Sequence, residues 1–324
     1  MDTRRKFLLK SAGAAAMAVL PGCAEEQIGT AGQTMKTNDP KTALILWYSQ
    51  AGHTARNGRL IGRTLERLGL RVRALDIREC DESTMKNYDL IIMGTPVYYL
   101  DVPGNVRDWL RDIPRIEGTP VAAYSTFGGP GDNQYNTAWY LLQLLADRGG
   151  VPVGIATFGN MSTFAPTWSM GNEKRILKYR DRPNEEIYRQ VRDFAKKVLS
   201  TVRGGTPPAF KKEFYAGEFI KGSFQVKLTR LMITRHTIDS KRCTKCGICV
   251  EKCPVGVIDI ETPHIDKKGC IACMGCVNNC PAQAIDMAFL GKKVYGFRDF
   301  LKKHAITIIE PAELRGGGPQ PGVS

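Results

Sequence analysis

From Thr42 to about Arg203 the chain alternates short apolar runs with longer stretches of helical periodicity. The runs at 43–48, 72–77, 90–94, 121–125 and 153–158 read as strands, and some lack a polar face, as strands covered on both sides do. Between and after them, apolar positions three and four apart predict helices over about 54–68, 105–111, 135–148 and 185–199. Five strands with intervening helices predict an α/β doubly wound parallel sheet. No GxGxxG follows any strand, so the dinucleotide-binding fingerprint is absent. An insertion at 160–183, with Trp168 and several basic residues, precedes the last helix. It reads as a surface loop that can also cover a ligand or meet a partner.

The alternation ends at Gly204-Gly205-Thr206-Pro207-Pro208, a domain boundary by composition. A basic, partly aromatic connector follows to 236 with no readable period, and His236 stands in it as an ordinary polar residue. Cysteine then sets the pattern. Eight of the ten cysteines fall between Cys243 and Cys280, while Cys23 and Cys80 stand apart. Disulfides staple distant parts of a chain, so this clustering suits one local inorganic site. Cys243, Cys246, Cys249 and Cys253-Pro254 are repeated 27 residues later as Cys270, Cys273, Cys276 and Cys280-Pro281. Each copy continues to an Ile-Asp pair, Ile258-Asp259 and Ile285-Asp286. A tetrahedral zinc site uses paired CxxC units and leaves the third, closely spaced cysteine surplus. The spacing is that of the bacterial C-x2-C-x2-C-x3-C-P run, in which the fourth cysteine ligates the other cluster. It predicts an α+β 2[4Fe–4S] ferredoxin-like domain. By that crossing, cluster 1 takes Cys243, Cys246, Cys249 and Cys280, and cluster 2 takes Cys270, Cys273, Cys276 and Cys253.

The turn after the first predicted strand, Ser49-Gln50-Ala51-Gly52-His53-Thr54, opens a helix. It resembles the phosphate loop of flavodoxins, with Ala51 in place of the middle hydroxyl residue. Hydroxyls of Ser49 and Thr54, backbone N–H groups and the helix N-terminus can hold a phosphate without a lysine. Gly52 permits close approach, and His53 reads as an exposed loop residue. Gly94-Thr95-Pro96-Val97-Tyr98-Tyr99 and the segment Ser125 to Tyr135, which contains Thr126, Phe127, Gly128, Gly129 and Asp132, resemble the two flavin-flanking loops of the flavodoxin-like superfamily. The resemblance implies FMN at these residues, with Tyr98 or Tyr99 stacked on the flavin or packed in the core. Nothing calls for the larger FAD.

Charge and the N-terminus bear on location. The formal net charge is +14. In the first 22 residues Arg4, Arg5, Lys6 and Lys10 against Asp2 hold +3, so the remainder holds +11. The lysines and arginines are dispersed and no nucleic-acid module is present, so acidic redox partner proteins, membrane quinone-linked enzymes and anionic lipid are the expected partners, and nucleic acid is not. Twin arginines followed by a mild apolar run resemble a twin-arginine (Tat) export signal. That run is too short to span a bilayer. Val19-Leu20-Pro21-Gly22-Cys23 resembles a lipoprotein box, apart from its proline, which would make Cys23 the lipidated residue; an ordinary signal-peptidase site is the alternative. Tat passes folded proteins, so clusters and flavin could be inserted before export, whereas threading unfolded cysteines into an oxidising compartment risks disulfides.

The predicted organisation is a signal at 1–23, a linker at 24–41, a flavodoxin-like domain at 42–203, a connector at 204–236, a ferredoxin domain at 237–290 and a tail at 291–324. The tail, with Gly316-Gly317-Gly318-Pro319, reads as disordered. Together the two domains resemble flavodoxin–ferredoxin fusion proteins. That resemblance implies electron transfer between FMN and two [4Fe–4S] clusters at the cell envelope, coupling one- and two-electron partners with no catalytic side chain. The alternative is a flavin-dependent reductase of a quinone or small oxidised compound, fed through the clusters. NAD(P)H is disfavoured as donor because that pool is cytoplasmic.

Overall fold

Every residue of Thr42–Trp47 but the first is buried, as a strand covered on both faces requires. The computed structural model to which this strand belongs describes residues 26–29, 33–129, 133–215 and 222–315. Arg4, Arg5, Cys23 and Asp132 lie outside them.

A two-residue strand, β1 (Gln27–Ile28), precedes β2 (Thr42–Trp47). Then come α1 (His53–Arg67), β3 (Arg71–Asp76), β4 (Leu90–Pro96), α2 (Gly104–Asp112), β5 (Pro120–Gly128), α3 (Gln134–Asp147) and β6 (Val151–Asn160). Two short helices follow, α4 (Pro166–Ser169) and α5 (Glu173–Leu177), and then the long α6 (Glu185–Gly204), which Asn184 caps through its side chain on Ile187 N. All five strands of the main sheet are parallel, in the order β3-β2-β4-β5-β6. Counted within the domain, that is 2-1-3-4-5, the doubly wound order whose switch point lies between the first and third strands. Leu60, Ile61 and Leu65 of α1 and the apolar stripe of α6 fill one face; Val106, Leu110, Leu141 and Leu142 fill the other.

The segments read as linker and connector carry structure. β7 (Phe210–Lys211) pairs antiparallel with β1, so the two flanking segments clasp each other. After α7 (Ser223–Met232) the cysteine-rich unit begins with β8 (Ile233–Ile238), inside the connector boundary. It continues through α8 (Ile248–Glu251), β9 (Ile258–Asp259), β10 (His264–Ile265), α9 (Gly275–Asn279), β11 (Ile285–Phe289), β12 (Lys292–Val294) and α10 (Phe297–Lys303). Strands β12, β11 and β8 form an antiparallel sheet, and β9 pairs with β10. The unit therefore extends past 290, because β12 completes that sheet and Phe297 and Phe300 of α10 are buried in its core. Of the 291–324 segment read as a tail, residues 304–315 run back over α1 and α6; 316–324 lie outside the described residues.

The insertion at 160–183 differs most from its reading as a surface loop. Trp168 is 1% exposed, and Met161, Ala165 and Ile176 are buried with it in one cluster with Ile233, Val277, Phe297 and Phe300. Trp168 stands 4.7 Å from Phe300 and 6.0 Å from Phe297, and its Nε1 donates to Tyr295 O at 2.9 Å. The two domains share this core.

The returning segment is tied by ions. Arg192 of α6 meets both carboxylate oxygens of Glu313, at 2.8 and 3.0 Å, and this hydrogen bonding holds Glu313 down to about 2. The group is ionised in the fold well below its ordinary range, so the pairing stabilises fully above about pH 4.5 and is lost as pH falls toward 2. Glu313→Gln is expected to cost about 2 kcal/mol at neutral pH. Urea unfolding of both proteins at a series of pH values should show that deficit constant from pH 7 to 5 and shrinking below 4.5.

Candidate flavin cavity and cluster cavities

The turn Ser49–Thr54 leaves the C-terminal end of β2 at the switch point, where a doubly wound sheet opens a crevice. Gly52 caps α1 at φ 86°, a left-handed conformation that glycine adopts without strain, and a Cβ there would meet nothing within 4 Å. The free N–H groups and positive dipole end of α1 face this turn. Thr54 Oγ1 lies 2.7 Å from Thr126 Oγ1 and joins the turn to the end of β5.

The turn forms one end of a cavity of about 570 Å³. Ser49, Gln50, His53 and Thr54 line it, as do Pro96, Val97, Tyr98 and Tyr99, and Thr126, Phe127, Gly128 and Gly129. The three loops predicted from sequence therefore converge. Three predicted residues do not join them. Gly52 sits behind the turn as the helix cap, and Thr95 is fully buried within β4. Tyr135 packs on the core beneath α3, and its neighbour Gln134 takes the wall position. Asp132 lies outside the described residues.

Two further corrections concern the turn itself. His53 is 7% exposed, packed edge-on against Phe297 at 5.7 Å, because α10 covers the loop; it is not an exposed residue. Burial, and then the neighbouring Arg56 charge, lower its pKa to about 3, so the ring is neutral at any ordinary pH. Arg56 Nη1, which can only donate, faces Nδ1 at 3.4 Å, while Glu310 holds the same guanidinium at 2.6 Å. The proton therefore sits on Nε2, a buried donor without a protein partner. It stands two residues from Ala51, where the flavodoxin pattern has its extra hydroxyl. Gln50 also differs: although it lines the cavity, its Nε2 donates to Tyr48 Oη at 2.8 Å and to Lys252 O at 2.9 Å. Its amide nitrogen thus joins the two domains.

Residues that the sequence reading left out close the other sides. Phe164 meets Tyr99 edge-on at 6.3 Å, and Thr229 of α7 joins the wall. Tyr99 has φ 53° and Leu100 φ 62°, consecutive left-handed residues that turn the Tyr99 ring toward the second domain. There its Oη donates to Ala272 O at 2.7 Å, and Ala272 and Cys273 form part of the cavity wall. No carboxylate occurs among the described lining residues, and Arg175 is the charged side chain there. His53 Nε2, Gln134 Oε1 and Asn160 Oδ1 are buried polar atoms of residues in this wall without protein partners. The first is a donor that suits a phosphate, and the two oxygens are acceptors that need hydroxyl or N–H donors, so a polar ligand bearing both kinds of group would satisfy the set; a long apolar one would not.

In the cysteine-rich unit two smaller cavities are each enclosed by four thiols. Cys243, Cys246, Cys249 and Cys280 surround one; Cys253, Cys270, Cys273 and Cys276 surround the other. The crossing of the fourth cysteine is thus reproduced by the backbone. No cysteine among the described residues is in a disulfide. The sulfurs of each set stand around a shared cavity, the arrangement that four cysteine ligands of one cluster require. Burial pushes the Cys273 thiol up to about 12 and raises Cys276 well above its ordinary range, so a cluster bound there displaces tightly held protons. The first set reaches solvent at the exposed Cys246, although Cys249 is buried; in the second set Cys270 and Cys276 are buried and Cys273 forms part of the large cavity's wall. His236 was missed as a site residue. Its Nε2 lies 3.3 Å from Cys276 Sγ, a contact that a lone histidine in a connector gives no means of finding.

His53→Leu removes one buried donor from the phosphate end and is expected to weaken FMN binding about tenfold. Fluorescence titration of flavin-free protein measures this. Because His53 is neutral throughout, the wild-type affinity should not fall as pH rises from 5 to 8.

Comparison with known proteins agrees with these two halves. A 4Fe-4S binding domain family matches residues 236–259. A flavodoxin of Clostridium saccharobutylicum is 31% identical over 85 residues, 25% of this chain, and the chain spans about half, 53%, of that relative. Among solved structures, a flavodoxin from the domain Archaea superposes with TM-score 0.38 at 12% identity, over 50% of this chain and 99% of that one. Streptococcus pneumonia TIGR4 flavodoxin gives 0.39 at 17%, over 49% and 98%. Rubredoxin oxygen:oxidoreductase of Desulfovibrio gigas gives 0.38 at 16%, over 53% and 38%. The strand order and the cavity at the switch point carry the assignment of the first half. The chain joins a flavodoxin-like domain to a cysteine-rich 4Fe–4S ferredoxin-like region.

Proposed function

We propose that this protein is an internal electron relay, with FMN in the large cavity and [4Fe–4S] clusters in both cysteine cavities. The observation that carries the proposal is Cys273, a ligand of the second cysteine set that also forms part of the flavin cavity wall. Flavin exchanges one or two electrons and each cluster one, so such a chain couples two-electron and one-electron partners. The protein's part is placement. The α1 N-terminus, Ser49, Thr54 and His53 Nε2 hold the phosphate end, while Tyr99, Phe164 and the Ala272–Cys273 backbone bound the other end. Cluster 2 then stands next to the flavin. Cluster 1, at the exposed Cys246, is the exit toward a one-electron partner.

The carrier reading stands ahead of a quinone reductase for a chemical reason. Quinone reduction takes up protons, and the cavity wall offers no ready donor. His53 is neutral with its proton in the phosphate end, no carboxylate lines the described wall, and burial raises the Tyr98 and Tyr99 hydroxyls far above their ordinary range. For location and partners, the sequence supports export by the twin-arginine route, attachment at Cys23, and docking of an acidic redox protein or anionic membrane surface through the +11 body as parts of the same proposal.

Anaerobically purified protein should contain about eight irons per chain by the two-cluster reading and release FMN on denaturation. Four irons, zinc in their place, or a colourless supernatant would overturn the reading. Rapid turnover with a soluble quinone would favour the reductase.

A further inference from the structure

The two cysteine motifs share their spacing, yet among the described residues only one of the two cavities has a side-chain donor at hydrogen-bond distance from a cysteine sulfur. His236-Thr237-Ile238-Asp239 precedes the first motif as Pro263-His264-Ile265-Asp266 precedes the second, with the same 27-residue offset as the cysteines. In the structure the ring of His236 is 3% exposed. Strand β8 holds it opposite Met287 of β11, and it forms part of the wall around Cys253, Cys270, Cys273 and Cys276. Its Nε2 lies 3.3 Å from Cys276 Sγ, and its Nδ1 is buried without a partner. The equivalent place in the other half is Pro263, whose side chain has no donor. The wall around Cys243, Cys246, Cys249 and Cys280 is mainly aliphatic, built from Ile238, Ile248, Ile260, Ala284 and Ile285 with Thr244. Of the remaining histidines, His53 belongs to the phosphate turn, His264 is exposed and His304 faces Glu173 at 3.2 Å.

We propose that His236 is a positioning residue for electron transfer: it donates its Nε2 hydrogen to the Cys276 sulfur and raises the reduction potential of cluster 2, with no counterpart at cluster 1. This rests on the two-cluster relay proposed above. A coordinated thiolate offers only lone pairs, so the hydrogen between ring and sulfur belongs to Nε2 and Nδ1 is bare. The added electron increases negative charge on the cluster and its sulfurs, so a fixed donor stabilises the reduced state more than the oxidised one. The surroundings are buried and apolar, where such a bond is least diluted by solvent. Because the ring acts through Cys276, it touches neither iron nor flavin. The consequence is an ordered relay in which the cluster beside the flavin holds an electron more readily than it would by cysteine ligation alone.

The test is a reductive titration of the full, cluster-loaded protein followed by EPR, comparing wild type with His236→Leu and His236→Gln. In the leucine variant one cluster should shift to lower potential while the other stays in place, and glutamine, which keeps an N–H donor, should restore most of the shift. Unchanged potentials in His236→Leu, or equal shifts in the leucine and glutamine variants, would overturn the proposal. If the leucine variant does not take up iron, wild-type protein labelled with nitrogen-15 histidine gives the same answer. Pulsed EPR should then find a histidine nitrogen coupled to one reduced cluster, and no coupling at either would overturn it. Eight irons with unaltered potentials defeat the role of His236 alone; fewer than eight in wild type defeat the two-cluster reading and this inference together.

Discussion

Everything proposed for this molecule depends on the seating of the ferredoxin-like unit on the mouth of the flavodoxin-like sheet. Two kinds of contact make that seat. Trp168, Phe297 and Phe300 form an aromatic cluster across the boundary, and truncating such a buried aromatic costs about 3–5 kcal/mol. Gln50 to Lys252 O, Asn279 Nδ2 to Gln50 O at 2.9 Å and Tyr99 to Ala272 O contribute about 1 kcal/mol each. The aromatic core therefore supplies the strength of the joint, and the hydrogen bonds set its register. Their register matters because the bonded residues belong to the same loops that line the flavin cavity. Gly275 shows how close the fit is: a Cβ there would come 2.2 Å from Gln50 Oε1.

One turn consequently serves two purposes. On one side, Ser49–Thr54 opens the N-terminus of α1 onto the large cavity, where the proposed flavin phosphate would sit. On the other, Gln50 reaches into the ferredoxin-like unit. A flavodoxin acting alone has to present its flavin edge to a partner by diffusion. In this protein Ala272 and Cys273 are already part of the cavity wall, so in the proposed relay the first transfer is intramolecular and independent of protein concentration. The same proposal leaves diffusional encounter to the side of the exposed Cys246 and Val250.

The parts legible in the sequence are those whose signal is local. Strands β2, β4 and β5 are buried runs, while β3 at the sheet edge buries only its last two residues, and the five strands and four long helices of this domain match the predicted ones to within a few residues. The cysteine sets follow from the resemblance of the repeat to the bacterial ferredoxin run, which implies the crossing of the fourth cysteine, and the two four-thiol cavities group the residues the same way. The illegible parts are those decided by what packs against them. Residues 160–183 have no apolar period, so nothing local shows that Trp168 belongs to the neighbouring domain's core. His53 looks like a loop residue until α10 covers it. Tyr135 has the right place in a flavin-loop pattern, yet the α3 helix turns it toward the core and brings Gln134 to the wall. His236 becomes meaningful only when β8 pairs with β11 and brings it to Cys276.

The central claim is that the cluster ligated by Cys270, Cys273, Cys276 and Cys253 is the one beside the flavin. Freeze-quench EPR after rapid photoreduction of the bound flavin tests it most directly, with the two cluster signals assigned by Cys246→Ser and Cys273→Ser variants. The account predicts that the signal lost in Cys273→Ser is the first to gain an electron, and that the cluster perturbed in Cys246→Ser follows. Reduction of the Cys246 cluster first, or arrival at rates that scale with protein concentration, would contradict it.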